Sequence, residues 1–474
     1  MNNSISSPSS KGTNVHTYKL FEDLQIKVAE TDNPFQLPVE LLFSMAARIN
    51  KKRSFLFVSK LLGKHIPVHP YTPLLSGAAL ALLIHARLFQ STRKVIEPLL
   101  EELLSGLRDP SRAEEAYRRL MRDKPRLPES ILCIGFAETA TALGHSVFHA
   151  FADGASYIHT TREYIPQLNS LINFEEEHSH AVAHRCYALD PELFSGHEPI
   201  VLVDDEMTTG QTALNIIRDI QSKFPRKQYV IASLLDWRTA DNEQQVRELQ
   251  NELDIDIQSV YLLKGQMEVD GAPRLAAENA FTLITHKKAA DLVVMHHAKT
   301  LESIDAVSAN SGGELNPAPY MKQTGRFGIQ SEDHAADDYH ISGLAEWLKT
   351  CRGSSSTLVL GTGEFMYVPM RIAAGMGDGI SYQSTTRSPI YSADLPDYAV
   401  ACGYPYPSPE DESVRNFIYN ISPGQYDEIF VLFERDMPPS RVKPMLDILR
   451  QLAGRKVFAV FFSGNVHGWE TFES

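Results

Sequence analysis

The chain has 474 residues but only four cysteines, and no two of them form a Cys-x-x-Cys pair. This scarcity excludes a disulfide-rich scaffold and a zinc ribbon and favours a reducing compartment, so we expect a cytoplasmic protein. An excess of positive charge is also missing, since 45 lysines and arginines stand against 59 aspartates and glutamates and give a net charge of −14. Such a chain has no general attraction to nucleic acid or to anionic membranes, and we expect it to bind neither.

Long hydrophobic runs are missing as well. The most apolar stretch, residues 73–84, contains Ser76 and Gly77, and it is shorter than the roughly 20 residues of a membrane-spanning helix. The first ten residues are polar, so we expect no signal peptide there, and we expect residues 1–17 to be disordered. Hydrophobic residues make up 43% of the chain, which is ordinary for globular proteins and sufficient for more than one core.

Apolar strand patterns alternate with helical patterns along two parts of the chain. This alternation predicts α/β folds with mostly parallel sheets. We predict a first α/β domain over residues 18–300 with a helical insert near its N-terminus, a linker over 301–340, and a second, smaller α/β domain over 341–474. A chain cut after Lys322 is then expected to keep a folded first domain.

The most informative segment follows the predicted strand 199–203. Two acids, Asp204 and Asp205, come directly after it, and a loop that leads into a predicted helix consists of Thr208, Thr209, Gly210, Gln211 and Thr212. The carboxyl edge of a parallel sheet is where ligands bind, and hydroxyls, a glycine turn and a helix start suit a phosphate. Carboxylates suit vicinal hydroxyls or Mg²⁺. The spacing predicts a ribose 5-phosphate site, whereas an acidic turn with a threonine cap accounts for only part of the pattern.

This pattern resembles the signature of the type I phosphoribosyltransferases, in which apolar residues, two acids and a Thr/Ser-Thr/Ser-Gly-x-Thr/Ser loop follow one another. The resemblance implies an enzyme, a pentosyltransferase that uses phosphoribosyl pyrophosphate (PRPP) and Mg²⁺ to transfer 5-phosphoribose to a small base-like acceptor. It implies that Asp204 and Asp205 hold the ribose hydroxyls, that Mg²⁺ binds mainly through PRPP with these acids as further ligands, and that the loop 208–212 wraps the 5′-phosphate.

The same resemblance assigns a second loop, after the predicted strand 131–135, to pyrophosphate and its backbone N–H groups. The residues at that position are Gly135, Phe136, Ala137, Glu138 and Thr139. Arg162 falls where the family has a loop that closes over the site, and it is our candidate catalytic residue for neutralising pyrophosphate, against the alternative of a surface arginine. Lys60 and Lys64 are candidate phosphate contacts, against the alternative of two solvated lysines.

Further segments resemble a narrower group, the orotate phosphoribosyltransferase-like proteins found with tellurium-resistance and stress gene clusters, which carry a second domain named TRSP for a Thr-Arg-Ser-Pro motif. The similarity lies in residues 53–67, 135–139, 324–328 and 386–389. It implies biosynthesis of a nucleoside- or nucleotide-like metabolite, with pathway enzymes as partners, and type I relatives favour a homodimer. The acceptor and the direction of reaction stay open, and a PRPP-sensing regulator or a pathway scaffold is the alternative.

The second domain offers one candidate site of its own. Thr362 lies between two glycines after a predicted strand, and Arg387 belongs to the Thr-Arg-Ser-Pro motif. Because arginine donates two parallel hydrogen bonds to phosphate or carboxylate, the two residues predict an anion site, with a simple turn as the alternative. In the first domain, Asp236 and Arg238 follow a predicted strand and either face the acceptor or end that strand.

Overall fold

The computed structural model describes residues 14–49, 54–175, 183–273, 275, 281–282, 289–297 and 302–469. Residues 1–13, which we expect to be disordered, and Arg53 of the N-terminal similarity lie outside these described residues. Residues 15–17 differ from the expectation of disorder, because they begin a strand that pairs antiparallel with residues 27–29.

The described residues form strands and helices in an alternating order. The strands are β1 (Val15–Leu20), β2 (Leu24–Asp32), β3 (Phe43–Ala47), β4 (Phe55–Ser59), β5 (Ile131–Gly135), β6 (Ala155–His159), β7 (Ile172–Glu175), β8 (Ala183–Cys186), β9 (Ile200–Val203), β10 (Glu206–Met207), β11 (Gln228–Asp236), β12 (Asp256–Gly271), β13 (Asp291–His296), β14 (Ser303–Ile304), β15 (Ser308–Ala309), β16 (Leu315–Asn316), β17 (Tyr320–Met321), β18 (Ile329–Gln330), β19 (Thr357–Gly361), β20 (Ile380–Ser384), β21 (Gly403–Pro407), β22 (Arg415–Tyr419), β23 (Glu428–Phe433) and β24 (Lys456–Phe461). The helices are α1 (Val39–Leu42), α2 (Tyr71–Leu88), α3 (Arg93–Arg108), α4 (Ala113–Arg122), α5 (Ala140–His149), α6 (Gln211–Lys223), α7 (Ala240–Leu253), α8 (His334–Cys351), α9 (Tyr367–Gly375) and α10 (Pro439–Leu452).

The larger sheet has the strand order β1-β2-β12-β11-β9-β5-β6-β18, and β10 pairs with β11. The strands β12, β11, β9, β5 and β6 run parallel, and the antiparallel strands β1 and β2 at one edge and β18 at the other extend this parallel centre. Both β5 and β9 are buried along their whole length, as their unbroken apolar sequences predict for strands covered on both faces. The predicted α/β class is therefore confirmed.

The helical insert of the first domain consists of α2, α3 and α4, which pack on one another. By length and composition α2 is the one described helix that is able to cross a membrane, but 72% of that segment is buried inside the protein. Its close packing explains the burial: a Cβ added at Gly77 would lie 2.3 Å from the Cβ of Ser146 on α5. Thus α2 has the surroundings of a core helix.

The smaller sheet is wholly parallel, with the order β13-β24-β23-β19-β20. Its edge strand β13 lies within the range predicted for the first domain, so the boundary at residue 300 does not separate the two sheets. The predicted linker also differs, because β18 pairs with β6 of the larger sheet and α8 begins at His334. The segment 302–333 is therefore structured and joins both sheets.

One large apolar cluster runs across both sheets, and a separate cluster lies between the smaller sheet and α10. Buried side chains from α2 and α5 belong to the same contiguous cluster as those from α8 and α9. At the centre of this contact, the rings of His145 and Tyr367 stack with centroids 3.6 Å apart. This continuity argues against the expectation that a chain cut after Lys322 keeps a folded first domain, because the cut would expose the shared apolar surface to water.

Candidate functional site

The predicted ribose 5-phosphate loop lies at the carboxyl end of β9, in the middle of the larger sheet. It connects β9 to α6, and its residues surround a pocket of about 50 Å³ lined by Asp204, Glu206, Met207, Thr208, Thr209, Gly210, Gln211, Thr212 and Ala213. Gly210 has a φ of +80° and is the N-cap residue directly before α6. This left-handed conformation favours glycine, and it turns the chain so that the loop and the helix start enclose one small space.

A buried ion pair supports this loop from beneath. The Arg238 guanidinium donates two hydrogen bonds to the Asp236 carboxylate, at 2.9 Å and 2.6 Å, and a third to the Ser259 hydroxyl. A Cβ at Gly210 would lie 3.0 Å from Cδ of Arg238. Asp236 and Arg238 are 1% and 3% exposed, so this buried pair supports the loop, and Asp236 is the last residue of β11. Of our two interpretations of this segment, the strand end applies.

The acids Asp204 and Asp205 are both half-buried, and Asp204 lines the pocket. One carboxylate oxygen of Asp204 accepts a hydrogen bond from the Asp205 N–H at 2.9 Å, and the Asp204 N–H donates to the carbonyl of Ala232. Burial, followed by the nearby charge of Glu206, raises the pKa of Asp205 to about 6. The backbone therefore fixes both acids beside the phosphate loop and leaves one of them short of favourable charge partners.

Three successive acids, Asp204, Asp205 and Glu206, supply the oxygen ligands that Mg²⁺ prefers. The raised pKa of Asp205 indicates that a nearby cation would lower the free energy of its charged form. Among the described residues, however, no group of three or more His, Cys, Asp or Glu side chains is arranged to hold a metal ion alone. The residues thus fit Mg²⁺ that takes its other ligands from a bound substrate.

The predicted pyrophosphate loop follows β5, the strand beside β9. Two of its N–H groups are engaged within the protein: that of Phe136 donates to the Val203 carbonyl, and that of Ala137 donates to the Thr160 hydroxyl at 2.9 Å. A Cβ at Gly135 would lie 2.6 Å from the Ala140 carbonyl oxygen, so only glycine fits where β5 turns into α5. The N–H groups of Phe136 and Ala137 therefore hold this loop in its conformation and are not free to bind a ligand.

The side chain of Glu138 gives this loop a buried carboxylate surrounded by cations. The Lys64 Nζ lies 2.6 Å from one oxygen, and Nη1 of Arg162 lies 3.3 Å from the other. Burial alone would raise the pKa of Glu138, but the charges of Lys64, Arg162 and Arg387 hold it below its ordinary value. Sequence reasoning selected these cations and the loop separately; the structure places Lys64 and Arg162 in contact with Glu138, and Arg387 near enough to act on it by charge.

The two predicted lysines differ in position. Lys64 is 1% exposed, and besides Glu138 it donates a hydrogen bond to the carbonyl of Gly363 in the second domain, at 3.1 Å. Lys60 instead donates to the carbonyl of Glu40 at 2.8 Å. The structure therefore places Lys64, but not Lys60, with the other candidate residues.

The carboxyl edge of the smaller sheet faces that of the larger one. Glu364, which follows β19, accepts hydrogen bonds from the Arg162 N–H at 2.8 Å and from the Thr161 hydroxyl at 2.6 Å. Lys64 reaches the adjacent Gly363, as described above. Because ligands bind at these edges in parallel sheets, both domains contribute residues to the space between them.

A buried arginine, Arg326, links the two edges. It is 2% exposed, and it pairs with Glu364 at 2.6 Å, Glu434 at 3.0 Å and Glu163 at 3.2 Å. Burial acts to lower the pKa of Arg326, but these carboxylates raise it well above its ordinary value. Sequence reasoning missed the role of Arg326 and of these acids, although Arg326 stands in a segment that carried the family similarity.

The predicted anion site of the second domain is only partly assembled. The Thr362 hydroxyl donates to the carbonyl of Leu432 at 3.1 Å, so it is committed to the sheet. Arg387 lies at the end of β20 on the facing edge, 3.7 Å from Glu410. Between them, the Thr385 hydroxyl accepts a hydrogen bond from the Gly363 N–H at 3.0 Å. Arg387 thus lies beside the glycine loop, whereas the Thr362 hydroxyl has a protein partner.

Comparisons with solved structures give adenine phosphoribosyltransferases at low similarity. The enzyme from Trypanosoma brucei is 16% identical with a TM-score of 0.24, and that from Leishmania donovani is 17% identical with a TM-score of 0.23; each match covers 32% of this chain and 64% of the other. The Saccharomyces cerevisiae enzyme is 13% identical over 34% of this chain and 85% of its own, with a TM-score of 0.21. This chain thus spans less than two thirds of the length of the two trypanosomatid enzymes. A search of curated proteins finds no match.

Two family matches cover most of the described chain. Residues 42–266 match a phosphoribosyl transferase family, and they contain the loop after β5, the acids after β9 and the phosphate loop. Residues 323–449 match the TRSP domain that lies C-terminal to that family, and they contain Arg326, Glu364 and Arg387. The chain therefore contains a region similar to phosphoribosyl transferases, followed by a region similar to the TRSP domain.

Proposed function

We propose that this protein transfers the 5-phosphoribosyl group of PRPP to a base-like acceptor. The observation that carries the proposal is the placement of Asp204 and Asp205 directly beside the phosphate loop that ends at α6. Vicinal hydroxyls donate hydrogen bonds to carboxylates, whereas a phosphate accepts them from hydroxyls, N–H groups and a helix start. A ribose 5-phosphate is a ligand that satisfies both halves of this pocket at once.

In the proposed reaction, the bond between C1 of the ribose and the pyrophosphate oxygen breaks, and a bond between C1 and a nucleophilic atom of the acceptor forms. Pyrophosphate leaves with the electron pair, and the acceptor proton passes to solvent or to the leaving group. Asp204 and Asp205 orient the ribose, and the loop 208–212 holds the 5′-phosphate still. Bound Mg²⁺ would supply positive charge at the pyrophosphate and the ribose hydroxyls.

Positive side chains near the pyrophosphate loop contribute the remaining stabilisation of the departing pyrophosphate. Lys64 and Arg162 already lie against Glu138, so they are in position to interact with negative charge that develops on the departing group. Positioning and charge therefore account for the catalysis that we propose, and no side chain is assigned a covalent role. An orotate-like acceptor, a place in a biosynthetic pathway linked to stress or tellurium resistance, and a cytoplasmic location stay predictions from the family resemblance.

Calorimetric titration with PRPP and Mg²⁺ tests the proposal. The double variant Asp204→Asn and Asp205→Asn keeps the side-chain size and the oxygen that accepts the Asp205 N–H, so it is expected to fold and to lose affinity by about 10-fold or more. Substitution of the exposed Asp241 by Asn is the matched control, and this variant is expected to bind PRPP as the wild type does. Equal binding by the double variant would reject the assignment of these acids.

A pyrophosphate-release assay over purine and pyrimidine bases separates transfer from sensing. Release that depends on one acceptor is expected for an enzyme. PRPP binding without release for any base would favour the regulator that the sequence left open.

A further inference from the structure

The interface between the two domains is built from the two edges at which parallel sheets bind ligands. On the larger sheet, this edge carries Glu138 and Arg162. On the smaller sheet, it carries Gly363, Glu364 and Arg387. Direct contacts across the gap include the hydrogen bond from Lys64 to Gly363 and the one from Arg162 to Glu364. The second domain therefore forms one wall of the space beside the pyrophosphate loop.

Two cations from different parts of the chain contact Glu138 in this space, and a third, Arg387, lies near enough to act on it by charge. Lys64 comes from the N-terminal segment and Arg162 from the end of β6, and both are within 3.3 Å of the carboxylate. Arg387 comes from the second domain. Burial acts to lower the pKa of Arg387, but the charges of nearby carboxylates raise it. Glu138 makes the largest contribution among these carboxylates.

The three cations differ in whether their N–H donors already have hydrogen-bond partners in the protein. Lys64 donates to Glu138 and to Gly363, and Arg162 donates to Glu138 and to His184. Arg387, by contrast, makes no hydrogen bond with any described residue, and its closest ion-pair partner, Glu410, is 3.7 Å away. A guanidinium has five N–H donors in a planar fork, which suits two oxygens of a phosphoryl group.

We infer that Arg387 of the TRSP domain completes the pyrophosphate end of the PRPP site in the transferase domain. The inference rests on the proposed function. In this arrangement, the second domain supplies, within the same chain, a positive side chain that binds two phosphoryl oxygens of the leaving group. Without Arg387, the site would still hold ribose 5-phosphate but would hold pyrophosphate weakly.

The charge balance around the site favours pyrophosphate as the partner of Arg387. Glu138 and Glu410 together carry at most two negative charges against the three cations Lys64, Arg162 and Arg387. The next carboxylate, Glu364, is engaged by Arg326 at 2.6 Å. A diphosphate group carries several negative charges and has oxygens on two phosphorus atoms, so it can contact more than one of these cations at once.

Separate titrations of the full chain with inorganic pyrophosphate and with ribose 5-phosphate, both with Mg²⁺, test the inference. The variant Arg387→Gln, which keeps much of the side-chain volume, is expected to bind pyrophosphate about 10- to 100-fold more weakly, because it loses charge-assisted hydrogen bonds. Its affinity for ribose 5-phosphate is expected to stay within about 2-fold of the wild type. The pyrophosphate affinity of Arg387→Lys is expected to lie between those of the wild type and Arg387→Gln, since lysine keeps the charge but lacks the planar fork of donors.

The exposed Arg415, at the start of β22, provides the control in the same domain: Arg415→Gln is expected to behave as the wild type does. Ribose 5-phosphate binding by each variant shows that the transferase domain is folded, and a thermal melt shows that the whole chain is. If Arg387→Gln unfolds, the folded Arg387→Lys variant decides the question by its pyrophosphate affinity.

Two results would overturn the inference while leaving the proposed function in place. One is wild-type pyrophosphate affinity in folded Arg387 variants. The other is an effect confined to the Michaelis constant of the acceptor, which would place Arg387 at the acceptor instead. A wild-type protein that binds neither PRPP nor ribose 5-phosphate would overturn the proposed function itself.

Discussion

The backbone N–H of Arg162 donates a hydrogen bond of 2.8 Å to the carboxylate of Glu364, although the two residues belong to different sheets. Arg162 follows β6 of the larger sheet, and Glu364 follows β19 of the smaller one. Since a backbone N–H has a fixed direction, this bond sets the position of one carboxyl edge against the other. The residues beside it, including Arg326 and Lys64, are buried and charged, which makes the contact between the domains part of the candidate site.

Substitution of Gly210 tests the phosphate loop. Gly210→Ala places a side chain at a φ of +80° and 3.0 Å from Cδ of Arg238. We expect the substitution to lower the free energy of unfolding by about 1–3 kcal/mol and to weaken binding of ribose 5-phosphate, as measured by calorimetry.

Gly313→Ala is the matched control, because Gly313 has a φ of +81° and no atom within 4 Å of an added Cβ. It is expected to share the backbone strain but to leave ligand affinity unchanged. Equal loss of affinity in both variants would show that the loop geometry around Gly210 has no special role.

The raised pKa of Asp205 predicts opposite effects of pH on stability and on binding. Because the pKa in the folded protein is about 6 against an ordinary value of 3.8, the folded state holds the proton more tightly, and stability is lost as the pH rises between these values. Asp205→Asn removes this loss. At pH 7.5 its free energy of unfolding is expected to exceed that of the wild type by on the order of 1–2 kcal/mol for this half-buried group. A thermal melt measures the difference as a higher unfolding temperature.

Binding of PRPP is expected to change in the other direction, since the ribose hydroxyls and Mg²⁺ need the ionised carboxylate. Wild-type affinity is expected to fall as the pH is lowered from 7.5 to 5. Calorimetry on Asp205→Asn at the same pH values isolates the part due to Asp205, because the ligand titrates equally in both experiments. The same pH dependence in the variant would contradict this assignment.

Arg326 is expected to be the most important ion-pairing residue between the domains. Arg326→Met leaves Glu163, Glu364 and Glu434 without their shared partner, and an unpaired buried charge costs about 3–5 kcal/mol. Urea unfolding measures this loss.

The exposed pair of Arg218 and Glu252 provides the comparison, with 2.6 Å between its charged atoms. Arg218→Met is expected to cost about 1 kcal/mol or less, as solvent screens surface ion pairs. Similar losses in Arg218→Met and Arg326→Met would show that burial of Arg326 adds nothing.

Truncation tests whether the domains are separable. A chain that ends at Lys322 loses β18, α8 and α9, which exposes the faces of α2 and α5 that belong to the shared core. We expect this fragment to aggregate on size-exclusion chromatography, whereas the full chain is expected to stay in solution. A fragment that elutes as a folded species with a cooperative melt would show that the transferase domain is independent.

The local patterns of the sequence were sufficient for much of the fold. Strand, loop and helix were predictable at β5, at β9 and at the turn of Gly210, because each of these features depends on residues that are consecutive in the sequence. The position of β13 was not, because its partner β24 lies far along the chain and nothing in residues 291–296 selects one sheet over the other. The same reason explains why the pairing of Arg326 with Glu364 and Glu434 was missed.

The edge strand β13 has a consequence for how the protein is made. It pairs with β24, whose first residue, Lys456, is added to the growing chain roughly 160 residues after His296. At 5–20 residues per second, this corresponds to a wait of roughly 10–30 s on the ribosome. Throughout that interval, the smaller sheet lacks the strand that joins β13 to β23. The final third of synthesis therefore proceeds with β13 unpaired, and such an edge favours aggregation until β24 has been made.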